Sequence, residues 1–353
     1  MHRILITLLF VFAGAAPAAA QSQDKLAELE QAIAAEKFGQ ITSITVRQGD
    51  DFAWERHFDG GSPDTLRNTR SVTKTITGAL VGIAIAEGHI ASLDAKVLSF
   101  FPEYRPANPD SRKSEMALGD LITMTGPLEC NDWNEYSRGN EERMYPIEDW
   151  IGFFLDLPIG APPPWEPRAE ERPYGKVFSY CTAGVFTLGR IVEKATGREL
   201  EDYAREKLFD PLGIGEVKWP FSPEGIAQGG GGMELTPRDL AEFARLYIDK
   251  GMANGQRILS EDWAVRSVTP HAQIDDSADY GYLWWLYEVP SGEARAPLWM
   301  MNGSGGNKVV ALPHLDAVAV ITTTNFRRSD AHRLSERILL EYIVPALEER
   351  EGF

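Results

Sequence analysis

The chain has 353 residues, 43% of them hydrophobic, enough to bury the core of one large domain or two modest ones. Its 35 basic and 52 acidic residues give a formal charge of −17. With no basic run to offset it, such a surface repels a phosphate backbone, which excludes nucleic acid as a partner.

The first residues, MHRILITLLFVFAGAAPAAAQSQ, combine a basic start, an apolar run from Ile4 to Phe12 and small residues before a polar break. This pattern predicts a secretory leader cleaved after Ala20. The run is too short for an ordinary membrane span, and no later stretch reaches the necessary length. The expectation is an exported chain, secreted or periplasmic, without membrane association once the leader is gone. Cys130 and Cys181 are its two cysteines. In an exported chain an even count favours a disulfide between them, the alternative being two separate buried thiols that behave as small apolar groups.

Residues 24–36 repeat apolar positions at helical spacing, and ITSITVRQGD followed by DFAWERHFDG alternates as strand, turn and strand. From Ser71 to Glu87 the pattern is a helix buried nearly all round, with Gly88 as its stop. Between about Leu93 and Pro270, short helical patterns such as PIEDWIGFFLDL and PRDLAEFARLYIDKG are separated by Pro- and Gly-rich connections. YGYLWWLYEV, PLWMMN, NKVVALPHL and DAVAVITTTNF then read as strands, before a final helix from about Ser329 to Glu348. The order predicts an α+β fold: an antiparallel sheet from both chain ends, flanked by terminal helices, with a mostly helical lobe inserted (sheet lobe about 24–70 and 275–350, helical lobe about 71–274). The cleft between the lobes is the natural place for a site. Gly229 to Gly232 suits a tight, close-packed turn.

In 69-TRSVTKTITGALVGIAIAEGH-89 a serine and a lysine stand three apart at the start of the buried helix. Positions three apart share a face there, so the Lys74 amine can reach the Ser71 hydroxyl, and free N–H groups of the first turn point the same way. Burial would favour the neutral amine, which can act as general base to the serine. A plain capping serine followed by a surface lysine is the competing reading. Ser22 and Lys25 repeat the spacing in a solvated stretch, so the motif alone decides nothing.

Other catalytic systems lack support. There is no Gly-x-Ser-x-Gly elbow. His2, His57, His89, His271, His314 and His332 form no cluster suited to zinc, and no phosphate-binding loop follows the glycine-rich segments. Two further segments could face the cleft. In 174-YGKVFSYCTAGVFTLGRIVEKATG-197, Tyr180 precedes a helix and its hydroxyl could project from a loop, although a half-buried structural tyrosine fits as well. In 302-NGSGGNKVVAL-312, the Gly303, Ser304, Gly305 and Gly306 run could let a substrate meet backbone N–H groups, or could be a hairpin turn.

Taken in order, these segments resemble the serine β-lactamase and penicillin-binding-protein superfamily, and within it the class C and esterase or 6-aminohexanoate-dimer-hydrolase branch. SVTKTITGALVGIAIAEGHIASLDAKVLSFFPEY resembles its first motif and buried helix. LGDLITMTGPL and GGGGMELTPRDLAEFARLYIDKG resemble its later loop, glycine turn and helix. The resemblance spans nearly all of the chain after the leader.

It implies Ser71 as nucleophile, Lys74 as its base, Tyr180 as proton relay, and Ser71 with the Gly303–Gly306 segment as the oxyanion and substrate site. Gly306 is the expected second N–H donor. No metal or organic cofactor is needed, and the implied substrate is a small ester or amide.

Two positions depart from the family pattern. The asparagine of its Tyr-x-Asn motif is Thr182, and the cation of its third motif is Gly303. Both count against a potent β-lactamase and leave three readings: an exported esterase or amidase, a D-amino-acid peptidase or weak β-lactamase, and a binding or sensor module that does not turn over. A Cys130–Cys181 bridge would pin the 126–136 loop beside Tyr180. Trp133, Tyr136, Trp150 and Trp165 are expected to form an aromatic rim.

Overall fold

The computed structural model describes residues 18–161, 167–291 and 294–351. Up to residue 17 the expected leader lies outside them, as does Trp165. Helix α1 (Ala18–Ala34) leads into a hairpin of β1 (Ile41–Gln48) and β2 (Asp51–His57). The late part of the chain supplies β3 (Ala272–Asp275), β4 (Ala278–Tyr280), β5 (Trp285–Ser291), β6 (Ala294–Gly303), β7 (Asn307–Leu312) and β8 (Ala317–Thr323). Together they form one antiparallel sheet of order β2-β1-β8-β7-β6-β5-β4-β3. The two chain ends meet where β1 pairs with β8, Ile44 opposite Ile321 and Val46 opposite Ala319. The α+β architecture expected from the element order is the one observed.

NKVVAL and AVAVITT are buried throughout because both faces of the sheet are covered. Val309, Val318 and Val320 pack into the core shared with the helical lobe. Their neighbours Val310, Ala319 and Ile321 face a second core built with the terminal helices. Successive side chains on a strand point to opposite faces, so a strand with two apolar cores needs an unbroken apolar run.

The inserted lobe carries α2 (Thr73–Ala86), α3 (Leu118–Ile122), α4 (Trp150–Asp156), α5 (Thr182–Thr196), α6 (Pro237–Ile248) and α7 (Glu261–Ser267). Their ends are written locally. The Asp149 carboxylate accepts the Gly152 N–H at 2.7 Å to start α4, Thr236 caps α6 ahead of Pro237, and Gly197, at φ 68°, ends α5. The last helices, α8 (Ala331–Ile338) and α9 (Val344–Glu351), return to the sheet face that α1 also covers. No described helix is long and apolar enough to cross a membrane.

The sheet edge differs from the sequence reading. YGYLWWLYEV is not one strand: Tyr280 closes β4 and Trp285 opens β5, while Leu283 between them adopts φ 61°. That turn is held by the Leu283 N–H on the Ile122 carbonyl at 3.1 Å and by the Thr75 hydroxyl on the Leu283 carbonyl at 2.7 Å. Strand β3 is only four residues long, too short for its Ala-Gln-Ile-Asp alternation to stand out from a loop.

Candidate active site

Ser71 sits in a 3-10 turn, Arg70–Val72, that runs into α2. In such a turn residues three apart eclipse, which brings Lys74 Nζ to 2.9 Å from Ser71 Oγ. The lysine is 1% exposed, so its reach is confined to this corner. Its amine also donates to the Gly230 carbonyl at 2.5 Å.

Helix α2 is apolar enough to be buried all round, and its polar groups are each matched to a neighbour. The Thr73 hydroxyl donates to the Arg70 carbonyl at 2.8 Å, and the Thr77 hydroxyl to the Gly229 carbonyl at 2.7 Å. Buried hydroxyls need such partners.

The 229–232 turn lies directly beneath the serine. A methyl group on Gly230 would stand 2.9 Å from the Thr182 carbonyl, and one on Gly229 would stand 2.8 Å from the Thr77 hydroxyl. The Gly232 N–H donates to the Arg70 carbonyl at 3.0 Å. The close-packed turn expected from the sequence therefore also carries the carbonyl that receives Lys74.

Tyr180 joins this corner from the segment before α5. Its ring is buried, with Lys74 Nζ 5.0 Å from the ring centroid. Burial raises the phenol pKa, opposed by the Lys74 charge and by a hydrogen bond with Ser71. Cys130 and Cys181 are disulfide-bonded, their Cα atoms 5.3 Å apart, so the expected bridge is present beside Tyr180.

The 303–306 segment reaches the serine from the sheet. A Cβ added at Gly303 would collide with the Thr69 carbonyl oxygen, which sets the end of β6 against the turn bearing Ser71. Gly305 and Gly306 adopt φ 82° and 85°, conformations that side chains other than glycine rarely take. Ser304 is exposed, while Gly305 and Gly306 are buried. Ser71, Lys74, Tyr180 and the turn that ends β6 are thus brought together. Lys308, the nearest lysine in sequence to the third segment, bonds Asn302 at 2.8 Å and Glu336 at 3.1 Å and is fully buried. Arg70, next to the serine, lies 4.4 Å over the Phe326 ring beside Gly305 and has no carboxylate partner among the described residues.

The aromatic rim is partly as expected. Trp133 is 58% exposed and stacks on Tyr180, and Tyr136 is exposed. Trp150 is instead a core residue, packed edge-on against Phe186. It opens α4 on the face that meets α5, and helical spacing alone cannot separate such a position from a rim. Sequence reasoning missed Phe178 and Trp285, which complete the cluster around Trp133 at 5.5 and 5.8 Å.

It also missed Asp132. The carboxylate of this residue accepts the Thr182 N–H at 2.7 Å and the Glu141 N–H at 2.9 Å. Burial and the nearby Glu141 charge push its pKa up to about 6, against the pull of Lys74 and the Thr182 hydrogen bond. The signal available was an acid two residues beyond Cys130, on the loop that the bridge ties to the start of α5.

The chain as a whole is similar to known proteins. The chain is 26% identical to penicillin-binding protein 4 of Amycolatopsis lactamdurans, over 81% of this chain and 82% of that protein. It is 25% identical to the 6-aminohexanoate-dimer hydrolase of Paenarthrobacter ureafaciens, over 75% of this chain and 65% of that one. Its fold superposes on EstCE1, a hydrolase with promiscuous acyltransferase activity, with a TM-score of 0.70 at 15% identity, covering 94% and 99% of the two chains. Residues 42–342 match the family model described as Beta-lactamase, and the chain belongs to that family.

Proposed function

We propose that the protein is an exported serine hydrolase that cleaves small esters or amides through an acyl-enzyme on Ser71. The observation that carries this reading is the buried Lys74 amine, fixed between the Ser71 hydroxyl and the Gly230 carbonyl with the Tyr180 ring beside it.

Lys74 takes the Ser71 proton as Oγ attacks the substrate carbonyl. The resulting oxyanion is held by the N–H groups of Ser71 and Gly306. Tyr180, kept protonated by burial, passes its proton to the leaving group and is reprotonated by the Lys74 ammonium. Water then attacks the acyl carbonyl, and its proton returns through Lys74 to Ser71 as the acid leaves. The hydrolase names of two of the relatives above support the reaction class, and the disulfide supports export.

The similarity to penicillin-binding protein 4 supports a second reading, a D-amino-acid peptidase or weak β-lactamase. Turnover of p-nitrophenyl esters, nitrocefin and D-Ala-D-Ala peptides, measured side by side, separates the two. The nucleophile is tested with a fluorescent fluorophosphonate. Label is expected on Ser71 and lost in Ser71→Ala and Lys74→Ala, whereas unchanged labelling and esterase turnover in Ser71→Ala ends the proposal.

A further inference from the structure

Asp132 belongs to no motif, yet its backbone N–H, its carbonyl and both carboxylate oxygens are all hydrogen-bonded. Its N–H donates to the Tyr180 carbonyl at 2.9 Å and its Oδ2 accepts the Thr182 N–H at 2.7 Å. Both peptide flanks of Cys181 are therefore held by one residue, and Cys181 itself is bonded to Cys130 two positions earlier. On its other side, Oδ1 accepts the Glu141 N–H at 2.9 Å and its carbonyl accepts Asn140 Nδ2 at 3.0 Å. The residue bridges the start of α5 to the loop behind it.

The charges facing Asp132 come from three elements. Lys74 on α2 attracts it in the ammonium form, Glu141 on the loop behind repels it, and the Tyr180 and Tyr145 phenols lie within range of its field. The Glu141 carboxylate is itself occupied by the Tyr145 hydroxyl at 2.8 Å. Thr182 N–H is among the free donors at the positive end of α5, which also favours the ionised carboxylate. In a low-dielectric corner an ion at this position acts strongly on a charge that forms nearby.

We infer that Asp132 is the positioning residue of the Ser71, Lys74 and Tyr180 group: its backbone N–H and its carboxylate hold the two peptides around Cys181 and so fix Tyr180, and its charge stabilises the ammonium formed at Lys74. This rests on the reading of Ser71 as nucleophile. In the step concerned, the Ser71 proton moves to Lys74 Nζ as the Oγ–carbonyl bond forms and the carbonyl electron pair shifts to oxygen. Asp132 gains and loses no atom; it faces the new positive charge, as the third group of a nucleophile–base pair does.

The test is the rate of fluorophosphonate labelling between pH 5 and 9 for the full chain and three variants. The unmodified protein should show an acid limb near pH 6, shared by the coupled group. Asp132→Asn should displace that limb and slow labelling at pH 8 at least tenfold, the effect of about one pKa unit of lost charge interaction. Asp132→Glu, which keeps the charge, should restore the limb in part. Cys130→Ser/Cys181→Ser loosens the same segment without removing a charge, and should slow labelling at every pH with the limb in place. An Asp132→Asn protein that is folded by circular dichroism and keeps both the rate and the limb overturns the inference. One that is slower at every pH with the limb unmoved overturns the role of the charge. Labelling that survives Ser71→Ala marks the separate failure of the nucleophile.

Discussion

The indole of Trp133 lies nearly parallel to the ring of Tyr180, 5.6 Å between centroids and 11° between planes. The exposed tryptophan roofs the tyrosine proposed as proton relay, and Trp285 buttresses it at 5.8 Å. A stacked pair of this kind is worth about 0.5–1.5 kcal/mol beyond burial. Trp133→Ala should therefore lower kcat/KM for aryl esters by about three- to tenfold, with little change in melting temperature. A loss of stability without loss of activity would make Trp133 a structural residue only.

The disulfide closes a loop with a sequence separation of 51. Constraining the unfolded chain by a loop of that size is worth about 2–4 kcal/mol. Cys130→Ser/Cys181→Ser should lose about that much in urea titration and label more slowly with fluorophosphonate, because the freed segment carries Tyr180. Unaltered stability in the double variant would contradict the packing described.

Gly303 and Ser304 are neighbours with opposite expectations. Gly303→Ala pushes a methyl group into the Thr69 carbonyl, a backbone atom that cannot swing away. It should cost about 1–3 kcal/mol as overpacking and abolish most of the labelling by displacing the serine turn. Ser304 is exposed, and Ser304→Ala should change stability by less than about 0.5 kcal/mol.

Asp132 also sets a pH dependence of stability. Its folded pKa, about 6, lies above the ordinary 3.8, so its contribution is complete below the unfolded value and is lost as pH rises from about 4 through 6. The change is on the order of 2–3 kcal/mol. The stability of the unmodified protein relative to Asp132→Asn should therefore decrease between pH 4 and 6.5. A difference constant across that range would show that Asp132 does not titrate there.

Much of this was legible in the sequence where one physical constraint dominates. The unbroken apolar runs of β7 and β8 announce strands with cores on both faces, and α2 announces a buried helix whose first turn holds a serine and a lysine in reach of each other. What the sequence concealed depends on contacts between distant segments. Asp132 matters because Thr182 and Glu141 place their N–H groups on it, and neither neighbourhood is visible in the string ECNDWNEY. Trp150 and Trp133 look alike in sequence, but only the fold turns one into the core and the other over Tyr180. The β3–β4 hairpin alternates apolar and polar residues, but over four and three residues, too few to distinguish a strand from a loop.

Arg70 precedes the serine with φ 58°, a left-handed conformation that costs a non-glycine residue about 1–2 kcal/mol. It is kept there by the Gly232 N–H and the Thr73 hydroxyl on its carbonyl, and by its own N–H on the Asn68 side chain at 3.1 Å. The turn that presents Ser71 is thus wound against its own preference, with the glycine turn acting as the clasp. Selection for a more durable protein and selection for a more reactive serine pull on this residue in opposite directions.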